Sequence, residues 1–264
     1  MAFGNIMDNR FIQNFMKYRY LLYELVKKSV KLEYRRSFLG VFWIFLSPLL
    51  YTIVLSIVFS TFLGKSVENY PVYLLCGRLA FDFFSGGSKA ALRSLKKATI
   101  IKRIYVPKYI YPLASVLGKY VTFIMSLIVL ALLVIVTGVV LTWHIFFVII
   151  PFALLFFMTL GVGLTLATIV MFFRDVQHFW GVFTTLLMWG SALFYPVSVV
   201  PEKYQFIFDY NPLFQVIDMI RRSVIYGQAY DPFQVFYVLG VTIFFLTIGI
   251  ILLYKYQDKF ILYI

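Results

Sequence analysis

Cysteine occurs once, at Cys76, and histidine twice, at His144 and His178. A single thiol excludes an intrachain disulfide. Two isolated imidazoles make no recognisable metal site, and each is read as interfacial. Acidic residues are scarce too, eleven in 264 positions, and no pair is spaced for general acid–base work. The paired acidic motifs of metal-dependent sugar transferases are missing. These shortages argue against catalysis by this chain. Charged residues of both signs make up 13% of the sequence, about half the share of an ordinary soluble domain, which argues against a water-soluble globule. Gly64-Lys65-Ser66 resembles the end of a phosphate-binding P-loop. That loop needs a glycine where Phe59 stands, and no strand-to-helix context surrounds it. It is read as a polar turn, so no nucleotide site is expected on this chain.

What is abundant is grease: 62% of residues are hydrophobic and 20% aromatic. Several runs reach the ~20 residues that cross a bilayer's hydrocarbon core as a helix. Lipid-exposed backbone cannot be satisfied there except by its own helix, so the expected class is an all-α polytopic membrane protein. Six spans are placed at Leu39–Leu63, Pro71–Leu92, Ile110–Val136, Ile145–Phe173, Phe179–Val197 and Phe233–Tyr254. Residues 1–38 form a tail and 39–264 the membrane domain. No cleavable signal is read at the start, because the first apolar run begins late and exceeds the length of a signal's apolar core.

A net charge of +13 raises nucleic acid as a partner, but the cations bracket apolar runs instead of studding one face. Eight stand in the tail up to Gly40, and seven in the loop after segment two, from Lys89 to Lys108, with no acid among them. The loop after segment one offers only Lys65, and Thr137 to His144 offers none. Retention of Lys and Arg on the cytoplasmic side then puts both termini in the cytoplasm, in agreement with an even number of spans.

In the tail, Phe11, Phe15, Tyr18, Leu22, Leu25 and Leu32 recur at helical spacing, with Asn14, Lys17, Glu24, Lys28, Lys31 and Arg35 on another face. This predicts a helix lying in the cytoplasmic interface, apolar side in the bilayer and basic side toward anionic lipid headgroups. Arg35 and Arg36 close it, Gly40 turns the chain upward, Trp43 anchors near the headgroups and Pro48 kinks the span above.

Leu95 to Pro112, LKKATIIKRIYVPKYIYP, interleaves basic and aromatic residues. Two readings stand: a juxtamembrane segment touching anionic lipid, or a short helix docking a partner protein through Ile100, Ile101, Ile104 and Tyr105, ended by Pro107. At the fourth–fifth junction, Arg174 faces inward and Asp175 is placed to cap the next helix. Within segment two, Arg78 and Asp82 stand at i and i+4, able to pair on one face. Charges at that depth face a partner or a watery cavity, so both a structural pair and a pore-facing role stand. Trp180, Thr184, Ser191 and Tyr195 fall on one side of segment five, either as a sliding surface for a sugar chain or, for the two aromatics, as interfacial belts. In Ser198–Pro232, Pro201 opens a short helix, Asn211-Pro212 breaks it and Leu213 to Tyr226 resumes before Gly227. Val216, Ile217, Ile220 and Val224 form its apolar face, and Asp218, Arg221 and Arg222 are polar. Two half-helices at the outer interface fit this pattern.

Five stretches in this order, YRRSFLGVFWIFLSPLL, KRIYVPKYIYPL, FFRDVQHFWGVF, FYPVSVVP and NPLFQVIDMIRRSVIYG, make the chain resemble the membrane permease subunit of bacterial polysaccharide ABC exporters, a type-2 ABC permease group serving O-antigen, capsule and teichoic acid export. The resemblance runs over nearly the whole chain. It implies a homodimer around a channel in the bacterial inner membrane, driven by a separate ABC ATPase that binds the ATP and Mg. It implies a coupling helix within 94–108, using Lys96, Lys97, Ile100, Ile101, Arg103, Ile104, Tyr105 and Pro107, with Arg174 and Asp175 on the same face. Tyr34, Arg35, Arg36, Gly40 and Trp43 would border the entrance for a lipid-linked polysaccharide. The helices around Asn211 and Pro212 would be re-entrant. The resemblance assigns nothing to Arg78 and Asp82. Exporters of drugs or other lipids share this architecture, and a secondary transporter would use Arg78 and Asp82 along an ion path.

Overall fold

A computed structural model of the chain describes residues 2–35, 37–63, 67–97 and 106–257. Among these residues the protein is all-helical, with no strand. Its helices are α1 (Ala2–Tyr34), α2 (Trp43–Leu63), α3 (Tyr70–Lys97), α4 (Ile110–Thr137), α5 (Ile149–Phe172), α6 (Val176–Gly190), α7 (Glu202–Asp209), α8 (Pro212–Arg221) and α9 (Pro232–Tyr256). Short 3-10 turns, Gly40–Phe42 and Trp143–Val148, lead into α2 and α5, and a π turn, Arg222–Tyr226, extends α8.

Four continuous stretches among the described residues are long and apolar enough to cross a membrane: Gly40–Phe59, Ile110–Thr137, Trp143–Phe172 and Pro232–Tyr256. They coincide with the first, third, fourth and sixth expected segments. Expected segment two is α3, which begins at Tyr70 but runs on to Lys97. Lys89 and Arg93, counted in the sequence with a loop, are therefore helical. α3 is the bundle's central element and packs against α2, α4, α5, α6 and α8. Burial among other helices, rather than in lipid, is what lets it carry Arg78 and Asp82 within its apolar half.

Segment five departs most from expectation. α6 stops at Gly190, and Ala192 takes the left-handed backbone conformation (φ 46°). Apart from Ser191 the local composition is apolar; distant side chains capture the carbonyls around the break, as described below.

α9 lies closest on α5. A Cβ built at Gly161 would stand 2.6 Å from the Leu246 backbone nitrogen, and one at Gly249 would stand 2.9 Å from the Gly161 carbonyl oxygen. Bare backbones meet there, the small-residue packing that apolar helices use where lipid gives no hydrophobic drive. Gly161→Val is expected to force the pair apart, since backbone cannot yield as a side-chain tip can. A destabilisation of about 1–3 kcal/mol is expected, read as a lower thermal midpoint in detergent.

At the chain's basic end, α1 lies along α4. Its Tyr18, Leu21, Leu22 and Leu25 pack on a cluster of Leu95, Val106, Ile110, Tyr111 and Met171. The expected amphipathic helix thus exists, but part of its apolar face covers protein rather than lipid. Gly40 has φ +51°, so the turn from tail to first span sits where a residue with a Cβ is strained. α2 runs through Pro48 without ending.

Candidate functional site

Two charged clefts open between the basic halves of the helices. The first, a vestibule of about 600 Å³ between α1, α3 and α4, is lined by Lys28, Glu33, Lys89, Arg93 and Lys119, with Ser29, Ser94 and Ser115 among the hydroxyls. Four cations face one carboxylate. The second, a cavity of about 370 Å³ called the chamber, lies between α2, α3 and α4, with Trp43, Pro48, Asp82 and Ser126 in its wall. Both volumes fall in the ~300–1,000 Å³ range of ligand sites.

Glu33 and Lys119 line both spaces. The Lys119 ammonium donates to Glu33 Oε1 at 2.5 Å, and this ion pair ties the end of α1 to α4. Both side chains keep some exposure, 27% and 34%, so the pair is weakly held: water screens such contacts to about 0–1 kcal/mol. Neither residue stood out in the sequence. The signal was there in Lys119, a lone cation in the apolar run from Ile110 to Val136, since a charge at that depth calls for a partner.

Arg78 and Asp82 pair as their spacing predicted, Nε to Oδ2 at 2.8 Å. Arg78 also stacks over the ring of Tyr51 on α2, 5.0 Å from its centroid, while Asp82 borders the chamber.

At the opposite end of α3 a second construction holds the chain after α6. Arg221 is only 2% exposed, not on the polar face assigned to it from the sequence. Its guanidinium donates to the carbonyls of Tyr73 (3.3 Å), Ala192 (3.1 Å, twice) and Leu193 (3.2 Å). It also lies 3.5 Å from the centre of the Tyr73 ring. The Tyr70 hydroxyl donates to the Phe194 carbonyl at 2.7 Å, the Tyr73 hydroxyl to that of Tyr195 at 2.9 Å, and the Asn211 amide to that of Gly190 at 2.8 Å. Five consecutive-region carbonyls thus leave the helical ladder and find side-chain donors instead. Non-helical backbone at membrane depth is tolerated only when protein satisfies it in this way. The polar residues that do face outward on this hairpin are Asp218 and Arg222, paired at 2.7 Å.

The same construction decides where the segment-five stripe lies. Trp180, Thr184 and Ser191 are all buried within the protomer. Trp180 donates its indole N–H to Ser88 Oγ at 3.0 Å, Ser191 accepts from Asn211 at 3.0 Å, and Tyr195 donates to the Trp189 carbonyl. Because α6 ends at Gly190, the four residues do not share one helix face. The outward face of α6 is instead apolar, with Phe179, Val182, Leu186 and Trp189 exposed. Asn211 caps α8, its side chain accepting from the N–H groups of Leu213 and Phe214, with Pro212 as the first helical residue; the break and restart read from Asn211-Pro212 are both present. Asp175 stands at the start of α6 but its side chain makes no capping bond, and Arg174 precedes it on the three-residue connection from α5.

Of the entrance residues, Tyr34 ends α1, Arg35 follows it, Gly40 begins the turn into α2, and Trp43 opens α2 and lines the chamber. Arg36 lies outside the described residues. So do residues 98–105, with Ile100, Ile101, Arg103, Ile104 and Tyr105. Lys96 and Lys97 are the last residues of α3, and the Pro107 carbonyl accepts from the Ile110 N–H as α4 begins. Gly64-Lys65-Ser66 also falls outside the described residues.

A helical bundle with apolar rods of span length and charges turned to internal clefts defines an integral membrane protein. The chain belongs to the ABC-2 type transporter family, whose model matches residues 20–225. It is 27% identical over 241 residues to the O-antigen export system permease protein RfbA of Klebsiella pneumoniae, covering 90% of this chain and 93% of that protein. The same-named protein of Myxococcus xanthus is 30% identical over 199 residues, 74% of this chain and 75% of that one. The polysialic acid transport protein KpsM of Escherichia coli is 23% identical over 251 residues, 89% and 92% of the two chains.

Proposed function

We propose that this chain is the channel-forming permease subunit of an ATP-driven exporter that moves lipid-linked polysaccharide across the bacterial inner membrane. The observation that carries this reading is similarity along almost the full length of permeases named for O-antigen and polysialic acid transport, within the ABC-2 type transporter family. The chain acts as a conduit and not as an enzyme. ATP and Mg belong to a separate ATPase subunit, and two copies of the permease pair around the channel.

In this reading both termini and the basic ends of α1, α3 and α4 are cytoplasmic, because Lys and Arg are retained on that side. Six crossings are made by α2, α3, α4, α5, α6 and α9. α6 alone, at 15 residues, spans about 22 Å and falls short of the ~30 Å hydrocarbon core. The non-helical stretch after it, with its carbonyls held by Tyr70, Tyr73 and Arg221, completes the crossing, and α7 and α8 return into the outer leaflet as re-entrant elements. ATP binding closes the ATPases and pushes the loop within 94–108, assisted by the Arg174–Asp175 connection. The stroke shifts the long helices α3 and α4, between which that loop runs, and reshapes the conduit.

Removal of the gene tests the reading. Cells lacking this chain are expected to lose surface polysaccharide and to retain lipid-linked polymer inside, with both reversed by the restored chain. Unchanged surface polymer in the deletion strain refutes it.

A further inference from the structure

Apart from the two charged clefts, α3, α5, α6, α8 and α9 enclose a third cavity, of about 330 Å³. Phe84 of α3, Met158 and Leu166 of α5 and Trp180 of α6 line it and are all buried, Trp180 being 8% exposed. On the other side the wall is different. Phe183 and Leu187 of α6 and Tyr237, Val241 and Phe245 of α9 line the same space but are half-buried or exposed. The cavity therefore opens between α6 and α9. No charged residue lines it, and the polar side chains in its wall are engaged by protein. Thr165 donates to the Gly161 carbonyl at 2.9 Å, Trp180 to Ser88 Oγ at 3.0 Å and Tyr237 to the Tyr210 carbonyl at 2.7 Å. The Asn211 amide donates to the Gly190 carbonyl and to Ser191, and its oxygen accepts from Leu213 and Phe214.

We infer that this cavity takes one acyl chain of a bilayer phospholipid, inserted from the side between α6 and α9. The wall selects the chemistry. Water in such a place needs about 2–4 polar partners, whereas an apolar cavity of roughly 150 Å³ stays dry and takes up benzene. A sugar would bring hydroxyls, and a polypeptide backbone N–H and C=O groups, that nothing in this wall can pair. A hydrocarbon chain brings none. The mouth selects the source. α9 is an apolar helix of span length, and Phe236, Ile243 and Phe244 stand exposed along it. The opening is thus continuous with a surface that lipid tails cover. The headgroup stays outside, since no charge in the wall could hold it. Once inside, the chain completes the packing of α6, which rests on α3 and α5 and turns Trp180, Phe183 and Leu187 toward the cavity. The inference goes beyond the export reading and uses no part of it.

The test uses the full chain in vesicles of phosphatidylcholine brominated at mid-chain, with the unbrominated lipid as reference. Bromine quenches indole fluorescence only near contact. Trp43, Trp143 and Trp189, the other tryptophans, are replaced by Phe, which leaves Trp180 as the single reporter. A ring 8% exposed and packed on protein alone would keep nearly all its fluorescence. With a chain in the cavity, at the ~4–4.5 Å of apolar contact, Trp180 is expected to lose about half of it or more. Val241→Phe and, separately, Leu187→Phe add bulk at the mouth and are expected to cut that quenching at least about twofold. Matching Trp180 emission in the reference vesicles certifies that a Phe variant is folded; where one fails this check the other decides, and the parent's quenching stands by itself if both do. Quenching in the parent that folded Phe variants lose supports the site. An unquenched Trp180 in the parent overturns it, whether a second copy of the chain or α6 settling on α9 closes the mouth. Quenching that a folded Phe variant leaves unchanged overturns it as well. Neither result touches the export reading, which the gene deletion tests.

Discussion

Arg221→Met is expected to loosen the protein where α6 ends, with a loss of roughly 1–3 kcal/mol and a fall in the thermal midpoint of about 3–8 °C. The guanidinium serves three carbonyls at once, those of Tyr73, Ala192 and Leu193. A thioether can serve none. The carbonyl of Leu193 is then left in a buried, apolar place, where an unmade hydrogen bond costs about 1–3 kcal/mol, while that of Tyr73 keeps its place in the α3 ladder. Ala192 keeps a long bond from the Tyr73 hydroxyl at 3.3 Å, so the loss is severe but not total. The pocket is also built for this group: a Cβ at Gly77 would stand 2.7 Å from Arg221 Nη2, which leaves no room for a bulkier wall. Arg221→Lys should recover only part of the stability, because an ammonium has no planar fork to span several carbonyls. An Arg221→Met protein that melts with the parent would show that the carbonyls find other donors.

The second large effect is expected from Ile104→Asp combined with Tyr105→Asp. These residues stand between Lys102, Arg103 and Pro107 in the loop that joins α3 to α4, and in the proposed mechanism they are apolar anchors against the ATPase. Interface energy concentrates in a few such side chains, and burying two carboxylates in their place carries a heavy desolvation cost. ATP-driven export should fall at least about tenfold, while the amount of permease in the membrane stays as in the parent. Measuring polymer at the cell surface beside permease abundance separates docking from folding. Normal export by the double variant would remove the coupling role from this loop.

The sequence made most of the rods legible because their signals are local. An apolar run of sufficient length gives α2, α4, α5 and α9 directly, and the i, i+4 spacing of Arg78 and Asp82 announces their pair. Asn211-Pro212 likewise encodes its own break and cap. What stayed hidden depends on residues far apart in the chain. The early end of α6 is set by Tyr70, Tyr73 and Arg221, and the Tyr70 hydroxyl reaches a carbonyl 124 positions away. A helical wheel puts Arg221 on a polar face because it cannot know that three carbonyls and an aromatic ring await it. The stripe from Trp180 to Tyr195 failed as a single face for the same reason, since the helix that would carry it stops first. Lys119 and Glu33 were passed over because their partnership spans 86 positions, yet both residues line the two clefts of the candidate site.

The central claim is that apolar helices cross the bilayer with their basic connections inside, where a separate motor engages them. Labelling tests it most directly, and Cys76, the one native cysteine, is buried and can be exchanged for alanine. Single cysteines at Lys97 and Arg103 are then probed with a membrane-impermeant thiol reagent. The account predicts no reaction in cells with an intact inner membrane and strong reaction in inverted vesicles. Reaction at either position from outside the inner membrane would contradict it.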